Sequence, residues 1–210
     1  MDRYLLYFAD PMCSWCWGFA PVTTEIEKAY GNTLPIKLFM GGLRPGNTKP
    51  MDDRAKAEIR EHWEHVTEMS GQPFDFSFFE RSGWTYDTDP ASRALVTARR
   101  LDETRALAFL RALHEAFYTQ NRDVTETDEL AAIAAEFGFD ADEFRETFDD
   151  PETTQETHAD YWYAQNAGIR GFPALIAVKD EKATAVTFGY QGWDAIAPGL
   201  AEWMAQEVTK

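Results

Sequence analysis

The chain's two cysteines form Cys13-Ser14-Trp15-Cys16, and its 210 residues hold no others. Before them runs Tyr4-Leu5-Leu6-Tyr7-Phe8, a short apolar and aromatic stretch that reads as a buried strand. Asp10-Pro11 breaks it, and Gly18 to Tyr30 reads as a helix with Ile26, Ala29 and Tyr30 on one side. The pair therefore lies where a strand hands over to a helix. Gly31-Asn32-Thr33 then turns the chain into a second strand, Leu34 to Phe39, with Pro35 at its start where a missing N–H is tolerated. A β-α-β opening of this kind usually makes a parallel pair with a right-handed crossover.

The placement carries chemistry. Helical positions i and i+3 are neighbours, with Cβ atoms roughly 5–6 Å apart. Small backbone adjustments bring such a pair to the roughly 3.5–4.5 Å that a disulfide requires. Cys13 falls in the first turn, where unpaired N–H groups and the helix dipole favour an anion and so activate a thiol as nucleophile. Cys16, one turn deeper, is placed to attack a mixed disulfide on Cys13 and release its partner. Two other readings compete. Half of a zinc site is one: no second C-x-x-C exists, and His62-x-x-His65 could complete a set of two cysteines and two histidines only by folding back, its spacing on a helix being more often solvated surface. Inert core thiols are the other. Redox chemistry accounts best for both cysteines falling in C-x-x-C after a strand, so no metal and no cofactor is expected.

Strand patterns then almost vanish from Met51 to about Gly168. Asp52 to Ser70 reads as a charged helix with the stripe Ile59, Trp63, Val66, ended by Gly71. Phe74, Phe76, Phe78 and Phe79 crowd a non-helical stretch, read as a plug on the core rather than an exposed surface. Further helices are expected from Pro90 to Arg100, from Thr104 to Thr119 with Leu107, Leu110, Leu113 and Phe117 inward, and from a capping box Thr125-x-x-Asp128 to Phe137. Two more run from Asp140 to Phe148 and from Asp150-Pro151 to Ala167. Period-two patterning returns at Ala174 to Val178 and Thr184 to Phe188, joined by the polar turn Lys179 to Lys182. A last helix from Trp193 or Asp194 to Val208 turns Ile196, Leu200, Trp203 and Met204 inward. The order is β-α-β, a helical block, then β-β-α. The terminal strands share one sheet if the block forms its own layer, which divides this α/β chain into a discontinuous unit, 1–48 with 168–210, and a helical insertion, 49–167.

A formal charge of −16 repels nucleic acid and anionic membrane, so neither is expected as a partner. No apolar run approaches the roughly 18 residues needed to cross a membrane. Leu5 to Ala9 is too short for a secretory core, and Asp2 spoils its charged start. The expected compartment is the cytoplasm, where thiols stay reduced and a cysteine pair is catalytic or sensing rather than a staple. The oligomeric state is not legible.

Asp10-Pro11-Met12-Cys13-Ser14-Trp15-Cys16, with Gly168-Ile169-Arg170-Gly171-Phe172-Pro173 leading into the third strand, resembles the DsbA family of thioredoxin-fold proteins, in particular its signal-less FrnE-like branch of disulfide isomerases. The resemblance covers nearly the whole chain. It implies a thioredoxin fold with a helical insertion, Cys13 as the more exposed nucleophile and Cys16 as the resolving cysteine. It also implies a cis Pro173 facing the pair, with Phe172 offering backbone groups to an extended substrate. Read without the resemblance, Pro173 is an ordinary trans proline opening a strand. Trp15, with Ser14 beside it, is expected on the substrate platform, Met12 and Phe172 on its apolar rim, and Trp17 in the core.

The chain departs from the family's oxidants, which carry His where Trp15 stands and a buried acid where Tyr7 stands. A less stabilised thiolate makes a disulfide less oxidising, so the expectation is a reductase or isomerase acting on protein thiols and disulfides. A cellular dithiol or glutathione would re-reduce it. Asp10 has two readings, a proton carrier for Cys16 or a turn residue beside Pro11. None of His62, His65, His114 and His158 shows a link to the cysteines. Two other functions compete: a redox-responsive adaptor module, as in some relatives of this branch, and a glutathione-dependent enzyme resembling the kappa-class transferases.

Overall fold

Alternation along the first strand decides how the layers stack. Leu5, Tyr7 and Ala9 join the main buried cluster, whereas Leu6 and Phe8 join a second one with Ala164, Ile169 and Ile176. A strand whose two faces are both apolar must be covered on both sides. The structure, a computed structural model, describes residues 3–206. Its elements are β1 (Arg3–Ala9), α1 (Ser14–Tyr30), β2 (Ile36–Met40), α2 (Asp53–Ser70), α3 (Asp89–Leu101), α4 (Ala106–Tyr118), α5 (Thr127–Phe137), α6 (Ala141–Asp149), α7 (Pro151–Asn166), β3 (Ala174–Lys179), β4 (Lys182–Phe188) and α8 (Trp193–Ala205). The expected end of α8 at Val208 lies outside the described residues.

The strands form one mixed sheet in the order β2-β1-β3-β4. β1 runs parallel to β2, with Tyr7 opposite Leu38, and antiparallel to β3, with Tyr7 opposite Leu175. Strands from the two ends of the chain thus share a sheet, and α2 to α7 are the helical insertion between them. β3 and β4 form a hairpin closed by Lys179 opposite Lys182, and Asp180 and Glu181 adopt the positive φ values, 49° and 62°, that a two-residue turn demands.

β2 is an edge strand, and its register turns the backbone groups of Ile36, Leu38 and Met40 away from β1. An ion pair covers part of this edge. Arg99 Nη1 donates to the Leu38 carbonyl at 2.9 Å, and Asp160 accepts from Met40 N at 2.9 Å. The two side chains meet at 2.8 and 3.2 Å, so α3 and α7 are tied to the sheet through its open side.

The aromatic plug forms. Trp63 of α2 is fully buried, with the rings of Phe74, Phe78, Phe79 and Tyr118 at 4.9, 5.0, 4.8 and 5.2 Å. Phe76–Glu80 winds into a short 3-10 turn, started by the Asp75 carboxylate accepting from Ser77 N, in the stretch read as non-helical. Two local expectations need correction. No side chain caps α5, because Asp123 Oδ1 engages both the amide and the hydroxyl of Thr125 and withdraws it from the expected capping box. Ala29, read on one side of α1 with Ile26 and Tyr30, is exposed, whereas Met204 of α8 turns inward as expected and packs, half-buried, against the core.

Candidate functional site

Cys13 is the N-cap of α1 in extended backbone (φ −92°, ψ 114°), but its side chain makes no cap bond. Its carbonyl accepts from Cys16 N at 2.9 Å and Trp17 N at 3.1 Å, which starts the helix, while the sulfur is left free to point elsewhere. It points across the chain to the Phe172 carbonyl, 3.7 Å away. The Phe172–Pro173 peptide is cis, as the resemblance implied. The chain enters the helix through a turn in which Asp10 O accepts from Cys13 N at 3.0 Å and Asp10 Oδ1 from Met12 N at 2.9 Å.

Both cysteines are free thiols, Cys13 6% exposed and Cys16 wholly buried. Burial raises the Cys16 thiol well above its usual range, and a hydrogen bond with Cys13 pushes the same way. Tyr7 lies beneath the pair. Its hydroxyl has no well-formed hydrogen bond, its polar neighbour being the Cys16 sulfur, and burial first and Cys16 second hold it protonated. The position where the family's oxidants keep an acid therefore carries a neutral phenol.

A carboxylate nevertheless reaches this region from Asp10. It is fully buried, and burial raises it from 3.8 to about 6, against the stabilising bonds from the Leu43 and Met12 amides. Oδ2 accepts from Leu43 N at 2.9 Å, so Asp10 joins the cysteine turn to the loop after β2. The turn role read from Asp10-Pro11 is present, and the carboxylate also couples electrostatically to Cys16. His114 of α4 closes the far side, donating from Nε2 to the Asp10 carbonyl at 3.3 Å, and burial lowers it to about 4.

A cavity of about 260 Å³ opens over Cys13, and Met12, Ser14, Trp15, Arg44, His62 and Phe172 line it with other residues. Trp15 is half-buried between Tyr190 and His65, with ring centroids at 5.6 and 6.2 Å. Trp17 is core, donating to the Pro73 carbonyl at 3.0 Å and lying parallel to Tyr118. Met12, expected on the apolar rim, is fully buried and lines the pocket from within. The Phe172 ring sits over Gly41, where an added Cβ would fall 2.1 Å from the ring. A larger cavity of about 540 Å³ between α1, β2 and α4 contains no cysteine, so size does not mark the chemistry here.

Two site-lining groups escaped the sequence reading. His62 and His65, read as surface with no link to the cysteines, are exposed, but His62 lines the pocket over Cys13 and His65 packs on Trp15. The signal was Ile59 and Trp63, which line the same cavity and fix which side of α2 faces Cys13. Arg44 and Tyr86 carry no local signal, because only the fold brings the 41–46 loop and the segment before α3 to this mouth. Among the described residues, no three His, Cys, Asp or Glu side chains converge as a metal site would require. No described helix is long and apolar enough to cross a membrane.

Residues 5–201 match the family described as the DSBA-like thioredoxin domain. The chain is similar to a candidate protein disulfide isomerase of Nitrosomonas europaea, with 34% identity, a TM-score of 0.88, and coverage of 97% of this chain and 98% of that one. It shares its fold with the cytosolic disulfide reductase DsbM of Pseudomonas aeruginosa (24% identity, TM-score 0.81, coverage 97% and 100%), a protein also solved with GSH. It is also 25% identical over 190 residues to the ClpXP adapter protein SpxH of Halalkalibacterium halodurans, covering 87% of this chain and 62% of that one. The chain thus spans about three fifths of the length of that curated relative.

Proposed function

Because the chain belongs to the DSBA-like thioredoxin domain family, we propose that it is a thiol–disulfide oxidoreductase of the reductase or isomerase type, acting on protein disulfides in the cytoplasm. The observation that carries this reading is the opposition of Cys13 Sγ to the Phe172 carbonyl beside a cis proline, with Cys16 buried behind it. A substrate disulfide entering over Trp15 and Ser14 is attacked by the Cys13 sulfur. One substrate sulfur leaves as thiolate, and the other stays bound to Cys13. Cys16 then attacks Cys13, the mixed disulfide breaks, and the second substrate thiol departs. Two electrons pass to the substrate, and the enzyme holds a Cys13–Cys16 disulfide.

The backbone of Phe172 would align an extended substrate at the attacking sulfur, and Pro173, with no N–H, leaves that strand entry open. Residues 1–48 and 168–210 act as the redox unit, and 49–167 as the cap that shapes the cavity through α2. The likeness to a cytosolic reductase supports both the direction of electron flow and the compartment, and its solution with GSH supports glutathione as re-reductant. The neutral Tyr7 and the absence of His between the cysteines agree with a weakly oxidising centre.

Trapping tests the reading. Cys16→Ser should accumulate a mixed disulfide on Cys13 when presented with an oxidised protein such as insulin, and Cys13→Ser should form none. Equal trapping by both variants, or by neither, would overturn it. The likeness to SpxH supports a second reading, an adaptor for a client protein, in which Cys13→Ser keeps client binding.

A further inference from the structure

The cavity over Cys13 has a charge of its own. None of its lining residues carries a carboxylate, and its mouth holds Arg44 and His62 in a chain whose net charge is −16. Most arginines among the described residues are occupied by acids, as Arg99 is by Asp160, Arg100 by Asp150, Arg111 by Glu27 and Arg122 by Glu129. Arg44 has no such partner among the described residues. Its guanidinium lies 5.0 Å over the Tyr86 ring. Tyr86 in turn donates to the Met12 carbonyl at 2.5 Å, one residue from the nucleophile.

The loop that carries Arg44 is pinned on both sides. Leu43 N is held by Asp10, Arg44 N donates to Thr88 Oγ1 at 3.0 Å, and Thr88 N donates to the Arg44 carbonyl at 3.3 Å. A guanidinium stacked on a fixed ring keeps its planar fork of donors turned outward with little rotamer entropy left to lose. That fork suits a carboxylate. The cavity, about 260 Å³, suits a small molecule rather than a folded domain.

We propose that Arg44 is a specificity-determining residue that binds the carboxylate of a small anionic thiol of the glutathione kind while its sulfur reacts at Cys13. The inference rests on the redox reading above. The thiolate attacks the Cys13 sulfur of the oxidised enzyme, the Cys13–Cys16 bond breaks, and Cys16 leaves and takes up a proton. A second glutathione thiolate attacks the bound glutathione sulfur, releasing the Cys13 thiolate and glutathione disulfide. Two thiols are oxidised and one protein disulfide is reduced.

The experiment follows tryptophan fluorescence as oxidised protein is reduced by glutathione, by neutral 2-mercaptoethanol and by cationic cysteamine, in the parent chain, Arg44→Gln and Arg44→Lys. The readout is the ratio of each charged thiol's rate constant to that of the neutral thiol within one protein, which cancels general effects on fold or reactivity. The glutathione ratio should fall three- to tenfold in Arg44→Gln and be largely kept in Arg44→Lys. The cysteamine ratio should rise in Arg44→Gln. High salt should shrink the parent's glutathione advantage, because the arginine is exposed. A glutathione ratio equal in the parent and Arg44→Gln overturns the assignment and leaves the redox reading standing. Failure of the parent chain to form a reducible disulfide overturns both.

Discussion

Replacing Asp10 by Asn isolates the penalty of a buried carboxylate beside the dithiol. The group is fully buried, and burial lifts it from 3.8 to about 6 in the folded chain. The folded state therefore holds this proton more tightly than the unfolded one. The associated stability is fully present below 3.8 and is lost as pH rises through 6. The shift of about 2.2 units corresponds to about 3 kcal/mol, at about 1.36 kcal/mol per unit. Roughly 1.4 kcal/mol of it falls between pH 5 and pH 8, by the linkage integral. That window also stays above the sequence pI of about 4.6.

Asn keeps one acceptor for the Met12 or Leu43 amide and loses the other, a constant cost of about 1–3 kcal/mol at every pH. His114 titrates over an overlapping range with the opposite sign. Lowered from 6.5 to about 4, it contributes stability that is lost as pH falls from 6.5 toward 4. The difference between the two proteins cancels it. The assay is reversible urea unfolding of both chains, reduced with a phosphine, at pH 5, 6, 7 and 8. Asp10→Asn should gain about 1.4 kcal/mol on the parent chain between pH 5 and pH 8. A pH-independent difference over this window would show a carboxyl that titrates at or below its ordinary value, and would refute the burial penalty.

Three further substitutions probe how the site is held. Gly41→Ala sets a Cβ 2.1 Å from the Phe172 ring. It should cost about 1–3 kcal/mol by overpacking and slow thiol exchange at Cys13, whose sulfur faces the Phe172 carbonyl; unchanged exchange would detach that loop from the reaction. Arg99→Met leaves the buried Asp160 without its cation and uncovers the Leu38 carbonyl, and should destabilise by about 3 kcal/mol in urea. The double variant with Asp160→Leu should recover part of this, and additive losses would argue against a coupled clamp. Trp63→Ala, at the centre of the aromatic plug, should cost about 3–5 kcal/mol and loosen the α2 wall of the pocket; a loss below about 1 kcal/mol would mean the cluster repacks without it.

The parts legible in the sequence are those carried by local pattern. The strand before Cys13, the Ile59, Trp63, Val66 stripe and the Ala174 to Val178 run are periodicities a single element imposes, and each marks an observed element. The cysteine turn was legible because Asp10-Pro11 both ends a strand and organises the amides of Met12 and Cys13. The cis bond at Pro173 came only with the family resemblance, since a proline opening a strand reads equally well as trans. What stayed hidden is made by long-range closure. Arg44 reaches the pocket because Thr88 and Asp10 pin its loop, contacts that no spacing in the chain encodes. The burial of Asp10 follows from packing by α4 and the loop after β2, so the same Asp-Pro pair looks solvated when read alone. Thr125 shows the converse, where a sound local motif lost to a nearer acceptor, Asp123.

The most direct measurement is the equilibrium of the Cys13–Cys16 pair in glutathione redox buffers, followed by tryptophan fluorescence through Trp15 and Trp17 and checked by thiol alkylation. The expected result is one reversible two-electron transition at a potential well below the roughly −120 mV of a strongly oxidising DsbA, in the range of about −180 to −270 mV of isomerases and reductases. A midpoint near −120 mV would contradict the reductase or isomerase assignment, and no disulfide at any buffer ratio would contradict the redox centre itself.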